Sequence, residues 1–216
     1  MRTHMQFDLP LQTLYAASLV GGVAFALSGF LAGVRKGLDL MGIFILSFLT
    51  ANGGGVIRDI LVGRPVTLVH EAEPFFITGG VVLLALILKL HKLPQLEQRL
   101  GFVVSDAVGL AAFGLSGALV GIEVQAQFFG VLALSLLTAA GGGILRDLLV
   151  NEVPELLYGG FYGSVALLQG AAICGLHAAQ SLNTVTLLAV FCAALALRLV
   201  AYRGKWRLPK PAKLAE

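Results

Sequence analysis

The sequence predicts an all-α membrane protein of seven transmembrane helices, built as two inverted three-helix repeats plus a seventh helix. Three observations carry this prediction. Of 216 residues, 57% are hydrophobic and 12% charged, with a mean hydropathy of +0.89, whereas soluble domains carry about a quarter charged residues. Charge-free runs recur at the length a bilayer demands, about 20 residues of helix. The chain also repeats itself at an interval of 88 residues.

The uncharged run 9–34 is longer than a signal-peptide core and lacks a small-residue cleavage site, so it reads as a retained first helix over 11–34. Further runs over 40–57, 74–88, 107–122 and 124–145 place spans at 41–63, 74–92, 103–122 and 127–150. A last run, 156–197, is twice a bilayer's thickness at about 1.5 Å per residue and must turn near 175–183. It yields spans at 156–176 and 183–202, followed by a basic tail over 203–216. The whole chain, 1–216, reads as a single transmembrane domain.

Alternating the loops collects Arg35, Lys36, Lys89, Lys92, Arg99, Arg203, Lys205, Arg207, Lys210 and Lys213 on one side, against Arg2 and Arg64 on the other. By the positive-inside rule the N-terminus is outside and the C-terminus cytoplasmic, in the cell's inner (plasma) membrane. These cations are topology signals in loops and tail, so the net charge of +3 does not imply nucleic-acid binding.

Gly53-Gly54-Gly55-Val56-Ile57-Arg58-Asp59 returns as Gly141-Gly142-Gly143-Ile144-Leu145-Arg146-Asp147. At the same offset Phe25-Ala26-Leu27-Ser28-Gly29 matches Phe113-Gly114-Leu115-Ser116-Gly117, while Leu46, Ser47 and Thr50 match Leu134, Ser135 and Thr138. Each unit, 11–92 and 103–176, holds three helices. An odd number starts the second unit on the opposite side of the membrane, which is the inverted-repeat architecture of many transport proteins.

Three adjacent glycines weaken a helix, each by about 1 kcal/mol relative to alanine, and predict a break or kink in the second and fifth spans. Close packing alone needs small residues on one face, whereas three in a row cover several. Freed backbone groups cannot face lipid, so such a segment lines a watery cavity or is buried in protein. Arg58-Asp59 and Arg146-Asp147 follow one turn later and need partners at that depth. Neighbours on a helix point about 100° apart, so the repeat predicts cross-pairing, Arg58 with Asp147 and Arg146 with Asp59. Gating and a structural clamp both account for these pairs.

The polar residues Ser28, Ser47, Thr50, Asn52, Ser116, Ser135 and Thr138 are candidates to line a path, although a lone membrane Ser or Thr usually bonds back to its own helix. Asp106 falls near the predicted start of the fourth span, where the first unit has Ser18. It reads as a helix cap or as a carboxylate at the cytoplasmic mouth. His70, His91 and His177 fall near span ends without metal-ligand spacing, and Cys174 and Cys192 in apolar runs read as small core residues. No nucleophile elbow, phosphate loop, zinc-protease motif or Cys-x-x-Cys is present in the sequence. The expectation is a non-enzyme without cofactor or metal.

The doubled Gly-Gly-Gly-x-x-Arg-Asp motif, with Phe25–Gly29 and Phe113–Gly117, resembles the bacterial branch of the trimeric intracellular cation (TRIC) channel family, also known as glycine-transporter-domain proteins. The resemblance covers residues 11–202. It implies a homotrimer with one pore per protomer, passing monovalent cations such as K+, with Na+ the second candidate. It also implies a pore lined by the first, second, fourth and fifth spans and hinged at Gly53–Gly55 and Gly141–Gly143. Ser18 departs from the acidic residue expected in both copies, and Gly63-Arg64-Pro65 differs from Asn151-Glu152-Val153-Pro154. The alternative function is a secondary transporter of a small zwitterion such as glycine.

Overall fold

The computed structural model describes residues 11–158, 161–206 and 208. Arg2, Arg207, Lys210 and Lys213, which enter the charge count, lie outside the described residues. Among the described residues there are nine α-helices and no strand: α1 (Leu11–Arg35), α2 (Leu40–Leu61), α3 (Thr67–His70), α4 (Glu73–Ile87), α5 (Gln95–Glu123), α6 (Phe128–Leu149), α7 (Glu155–Tyr158), α8 (Tyr162–Ala178) and α9 (Thr184–Arg203). Five of them, α1, α2, α5, α6 and α9, are long and apolar enough to cross a membrane.

The differences from the sequence-based spans have local causes. Lys89, with φ of 56°, ends the α4 segment early and leads into a 3-10 turn at Leu90–Lys92. Helix α5 begins at Gln95, ahead of the predicted span, because charge marks where hydrocarbon begins and not where helix begins. Helices α2 and α6 end at the left-handed residues Gly63 and Asn151, and the single turns α3 and α7 follow beyond Pro65 and Pro154. Cys192 is exposed on α9 and is not a core residue.

Offsets of 88 recur in the backbone. Helices α2 and α6 correspond residue for residue, as do α3 and α7. The left-handed turn residues Gly37 and Gly63, with φ of 69° and 67°, correspond to Gln125 and Asn151, with φ of 57° and 55°. At these positions the second copy holds the strained conformation without glycine.

Helix α1 packs on α5, and α2 packs on α6. The α2–α6 approach is a backbone contact. A Cβ on Gly54 would overlap the Thr138 carbonyl oxygen, and one on Gly142 would overlap that of Thr50. A Cβ on Gly141 would lie 3.0 Å from the Gly54 Cα. Both helices run through the motif unbroken, and neither set of glycines has positive φ. The three glycines therefore stay helical and serve approach: the contact removes the space a side chain would need. Phe25 and Phe113, themselves 88 apart, pair at 5.3 Å between centroids. Adding 88 to one partner of each backbone contact and subtracting it from the other returns a second observed contact, and it returns the Phe25–Phe113 pair to itself, the relation a two-fold axis imposes.

Two surface clamps obey the same relation with their charges exchanged. Arg35 and Lys36 at the end of α1 hold Glu152 at 3.0 and 2.8 Å, while Glu123 at the end of α5 holds Arg64 at 3.2 Å. Partial burial pushes the Glu152 carboxyl up, but the Lys36 hydrogen bond and the charges of Arg35, Lys36 and Arg146 outweigh it and hold it below the usual carboxylate range.

Gly54→Ala and Gly142→Ala will each lower stability by about 3 kcal/mol, because the neighbour is backbone and cannot swing away. Gly80→Ala, which meets nothing within 4 Å, will leave the detergent-solubilised melting temperature unchanged or raise it. A folded pKa below the unfolded one makes the Glu152 clamp fully effective above the ordinary glutamate value and lost as pH falls through the depressed one. The melting difference between wild type and Glu152→Gln will accordingly close on acidification through that window.

Candidate functional site

Each arginine of the repeated motif folds back on its own neighbour, so the cross-pairing expected from sequence does not form. Arg58 Nε and Nη2 donate to Asp59 Oδ1 at 2.9 and 2.8 Å, and Arg146 repeats this with Asp147 at 2.9 and 2.8 Å. The arginine side chain is long enough to close the angle that separates adjacent Cβ atoms. The second oxygen of each carboxylate then faces the following short helix. Asp147 Oδ2 accepts from the Glu155 backbone N–H at 3.0 Å, at the start of α7. Asp59 Oδ2 meets the Thr67 backbone N–H at 3.5 Å, at the start of α3.

The two units are joined through serine. Arg58 Nη1 donates to Ser116 Oγ on α5 at 2.7 Å, and Arg146 Nη1 donates to Ser28 Oγ on α1 at 2.5 Å. Both serines lie in the second block of the sequence repeat. Each copy therefore satisfies the arginine of the other.

Beyond this shell the copies diverge. Asp106 Oδ1 takes a further hydrogen bond from Arg146 Nη1 at 2.6 Å, whereas its counterpart Ser18 bonds Ser116 Oγ at 3.1 Å and leaves Arg58 with one carboxylate. The Phe102 ring also covers Arg146, with its centroid 4.5 Å from the guanidinium carbon. Arg146 is 1% exposed and Arg58 9%. Asp106 lies inside α5, 1% exposed, and neither caps a helix nor opens to solvent.

Two cavities sit at opposite ends of α1. The first, about 630 Å³, is lined by Tyr15, Ser18, Gly22, Asn52, Gly55, Arg58, Asp59, Arg64, Thr67, Pro74 and Phe113, among others. The second, about 480 Å³, is lined by Phe102, Arg146, Asp147, Glu152, Glu155, Arg198, Lys205 and Trp206, among others. Positions 58, 59, 64 and 67 in the first correspond to 146, 147, 152 and 155 in the second. Tyr162, the counterpart of Pro74, accounts for part of the difference. It is 3% exposed and lies under Arg198, whose guanidinium carbon is 4.7 Å from its ring centroid.

Of the polar candidates read from sequence, Asn52 lines a cavity and the others are fully buried. Ser47, Thr50 and Asn52 donate back to the carbonyls of Ile43, Leu46 and Phe48. The single Ser135 hydroxyl proton lies between the Gly114 and Ala166 carbonyl oxygens, 3.0 and 2.8 Å from Oγ. Thr138 forms part of the α2–α6 contact, and Ser28 and Ser116 hold the arginines.

Sequence reading missed Arg198, Glu155, Tyr162, Phe102 and Gln169. Arg198 donates to Glu155 Oε1 at 2.5 Å, and a charge inside an apolar span was the available signal. Gln169 donates to the Ala111 carbonyl at 2.8 Å, and a Cβ on Gly114 would overlap its Oε1. The mismatch of Ala26 with Gly114 in the repeat marks that site.

The fold and site define a helical membrane protein whose two related halves each bury an Arg-Asp pair beside a cavity. The family model described as Glycine transporter matches residues 15–91 and again 103–178. The chain is 34% identical to the membrane protein YvgT of Bacillus subtilis over 192 residues, 89% of this chain and 93% of that protein. It is 30% identical to the inner membrane protein YadS of Escherichia coli over 199 residues, covering 91% and 95% of the two chains. Its structure superposes on the TRIC trimeric intracellular cation channel orthologue from Rhodobacter sphaeroides with a TM-score of 0.82 at 33% identity, covering 88% of this chain and 97% of that one. The chain belongs to the TRIC family, the family that the matching model describes as Glycine transporter. That structural relative is a channel, not an enzyme.

Asp106→Asn will destabilise the protein by about 3 kcal/mol, since it strips a carboxylate from a buried guanidinium. Ser18→Ala, which removes one neutral hydrogen bond, will cost about 1 kcal/mol. Thermal unfolding of the two purified variants in one detergent compares them directly.

Proposed function

We propose that the chain is a channel for monovalent cations, K+ foremost and Na+ with it, acting as a homotrimer with one pore per protomer in the cell's inner membrane. The observation that carries this reading is the similarity along nearly the whole chain to a trimeric cation channel. The pore runs between α1, α2, α5 and α6, whose two ends carry the cavities. Its lining includes Asn52, and the hydroxyls of Ser28, Ser47, Thr50, Ser116, Ser135 and Thr138 join it as α2 and α6 part. Gly53–Gly55 and Gly141–Gly143 are the hinge, because a contact made of backbone alone can slide or open without side chains interlocking.

In this reading the chain spans the membrane seven times, with α4 and α8 counted alongside the five long helices. Residues 11–92 and 103–176 are inverted repeats, and 183–202 is the unrepeated seventh span. The N-terminus is outside and the basic tail cytoplasmic. Support for that orientation comes from the grouping of Arg35, Arg99, Arg203 and Lys205 around the second cavity, against Arg64 at the first.

A carrier of a small zwitterion such as glycine is the second reading. It is favoured by the buried Phe25–Phe113 pair, where Phe113 also lines the first cavity, because an occluded middle is what alternating access requires. Purified protein in planar bilayers with KCl on both sides decides between them. Discrete single-channel steps are the expected outcome, while saturable glycine uptake without such steps would overturn it.

A further inference from the structure

The two arginines differ in the carboxylates they hold, two for Arg146 and one for Arg58, and one side chain accounts for the difference. Arg146 Nη1 is held by Ser28 Oγ at 2.5 Å and Asp106 Oδ1 at 2.6 Å. Arg58 Nη1 is held by Ser116 Oγ at 2.7 Å, and Ser18, which stands where Asp106 stands in the other copy, reaches the serine and not the guanidinium. Arg58 and Ser18 both line the 630 Å³ cavity, whereas Asp106 is sealed in the interior.

We propose that Ser18 is a determinant of cation permeation: by leaving Arg58 with a single carboxylate, it gives the wall of the first cavity one negative group fewer than the matching site around Arg146 and limits the flow of monovalent cations through it. This inference rests on the channel reading above. A carboxylate beside a cation's route lowers the local potential and raises cation occupancy, and the Arg58 pair lacks the second carboxylate that would do so. Arg146 holds Asp147 and Asp106 together, so the two ends of the route differ by one carboxylate.

The geometry says what a carboxylate at position 18 will do. In the second copy a serine and an aspartate share one arginine nitrogen, and Ser18→Asp recreates that pair with Ser116 beside Arg58. In planar bilayers under a KCl gradient, Ser18→Asp will raise unit conductance and the K+ over Cl− permeability ratio about twofold or more. The gain will shrink in about 1 M salt, where charges are screened within a few ångströms. A conducting wild type whose Ser18→Asp variant keeps both values unchanged overturns the inference and leaves the channel reading standing. A wild type that carries no current sinks the channel reading itself.

A melting cycle needs no current. Ser18→Asp will unfold near the wild-type temperature while Arg58 is present, and the Ser18→Asp/Arg58→Gln double variant will unfold well below the sum of the single effects, because it buries a carboxylate without its partner. Equal losses with and without Arg58 show that position 18 does not face the guanidinium and overturn the inference.

Discussion

A guanidinium enclosed by apolar helices keeps its charge and must find acceptors wherever the fold can bring them. Each motif arginine finds a carboxylate one residue away and a serine on the other repeat unit. The carboxylate is local and would exist in an isolated helix; the serine is not. Breaking a buried pair costs about 3–5 kcal/mol, against about 0–1 for exposed ion pairs such as the Arg64–Glu123 clamp. The interior arginines, more than the surface clamps, thus fix how α1 and α2 dock on α5 and α6.

That docking requires the glycines. For Arg58 to reach α5 and Arg146 to reach α1, α2 and α6 must approach until the Gly54 and Gly142 backbones touch the Thr138 and Thr50 carbonyls. Any side chain at either position would separate the helices and lengthen both serine bonds. The glycines and the arginine one turn later are two parts of one constraint, which explains why the chain carries them as a unit in both copies.

The helices, their order and the two-copy plan were legible because hydropathy and an ungapped 88-residue register report them directly. Partner choice was not. The cross-pairing of Arg58 with Asp147 followed from an angle between neighbouring Cβ atoms, an argument that neglects a side chain long enough to turn back. Helix propensity puts a break or kink at the glycines because it counts what each residue costs a helix and not what a neighbouring helix returns, and the break does not form. Asp106 was placed at a helix start because charge ends a hydrophobic run, although the helix begins eleven residues earlier at Gln95. Arg198 was hidden near the end of a long apolar run, and its partner Glu155 sits on a single-turn helix that no periodicity could reveal.

Duplication also frees the halves to differ where a true dimer of identical chains could not. Tyr162 fills against α9 a position where the first copy has Pro74, Gly114 yields room to Gln169, and Asp106 completes the shell of Arg146. The first copy keeps Ala26, Ser18 and an Arg58 that lines the first cavity. The clamp charges exchange as well, so that the end bearing Arg35 and Lys36 is basic on its helix and acidic on its loop, while the opposite end reverses this. The arginine at one end holds two carboxylates and the arginine at the other holds one. Direction is therefore written into the site by a handful of substitutions on a backbone that is otherwise the same read from either end.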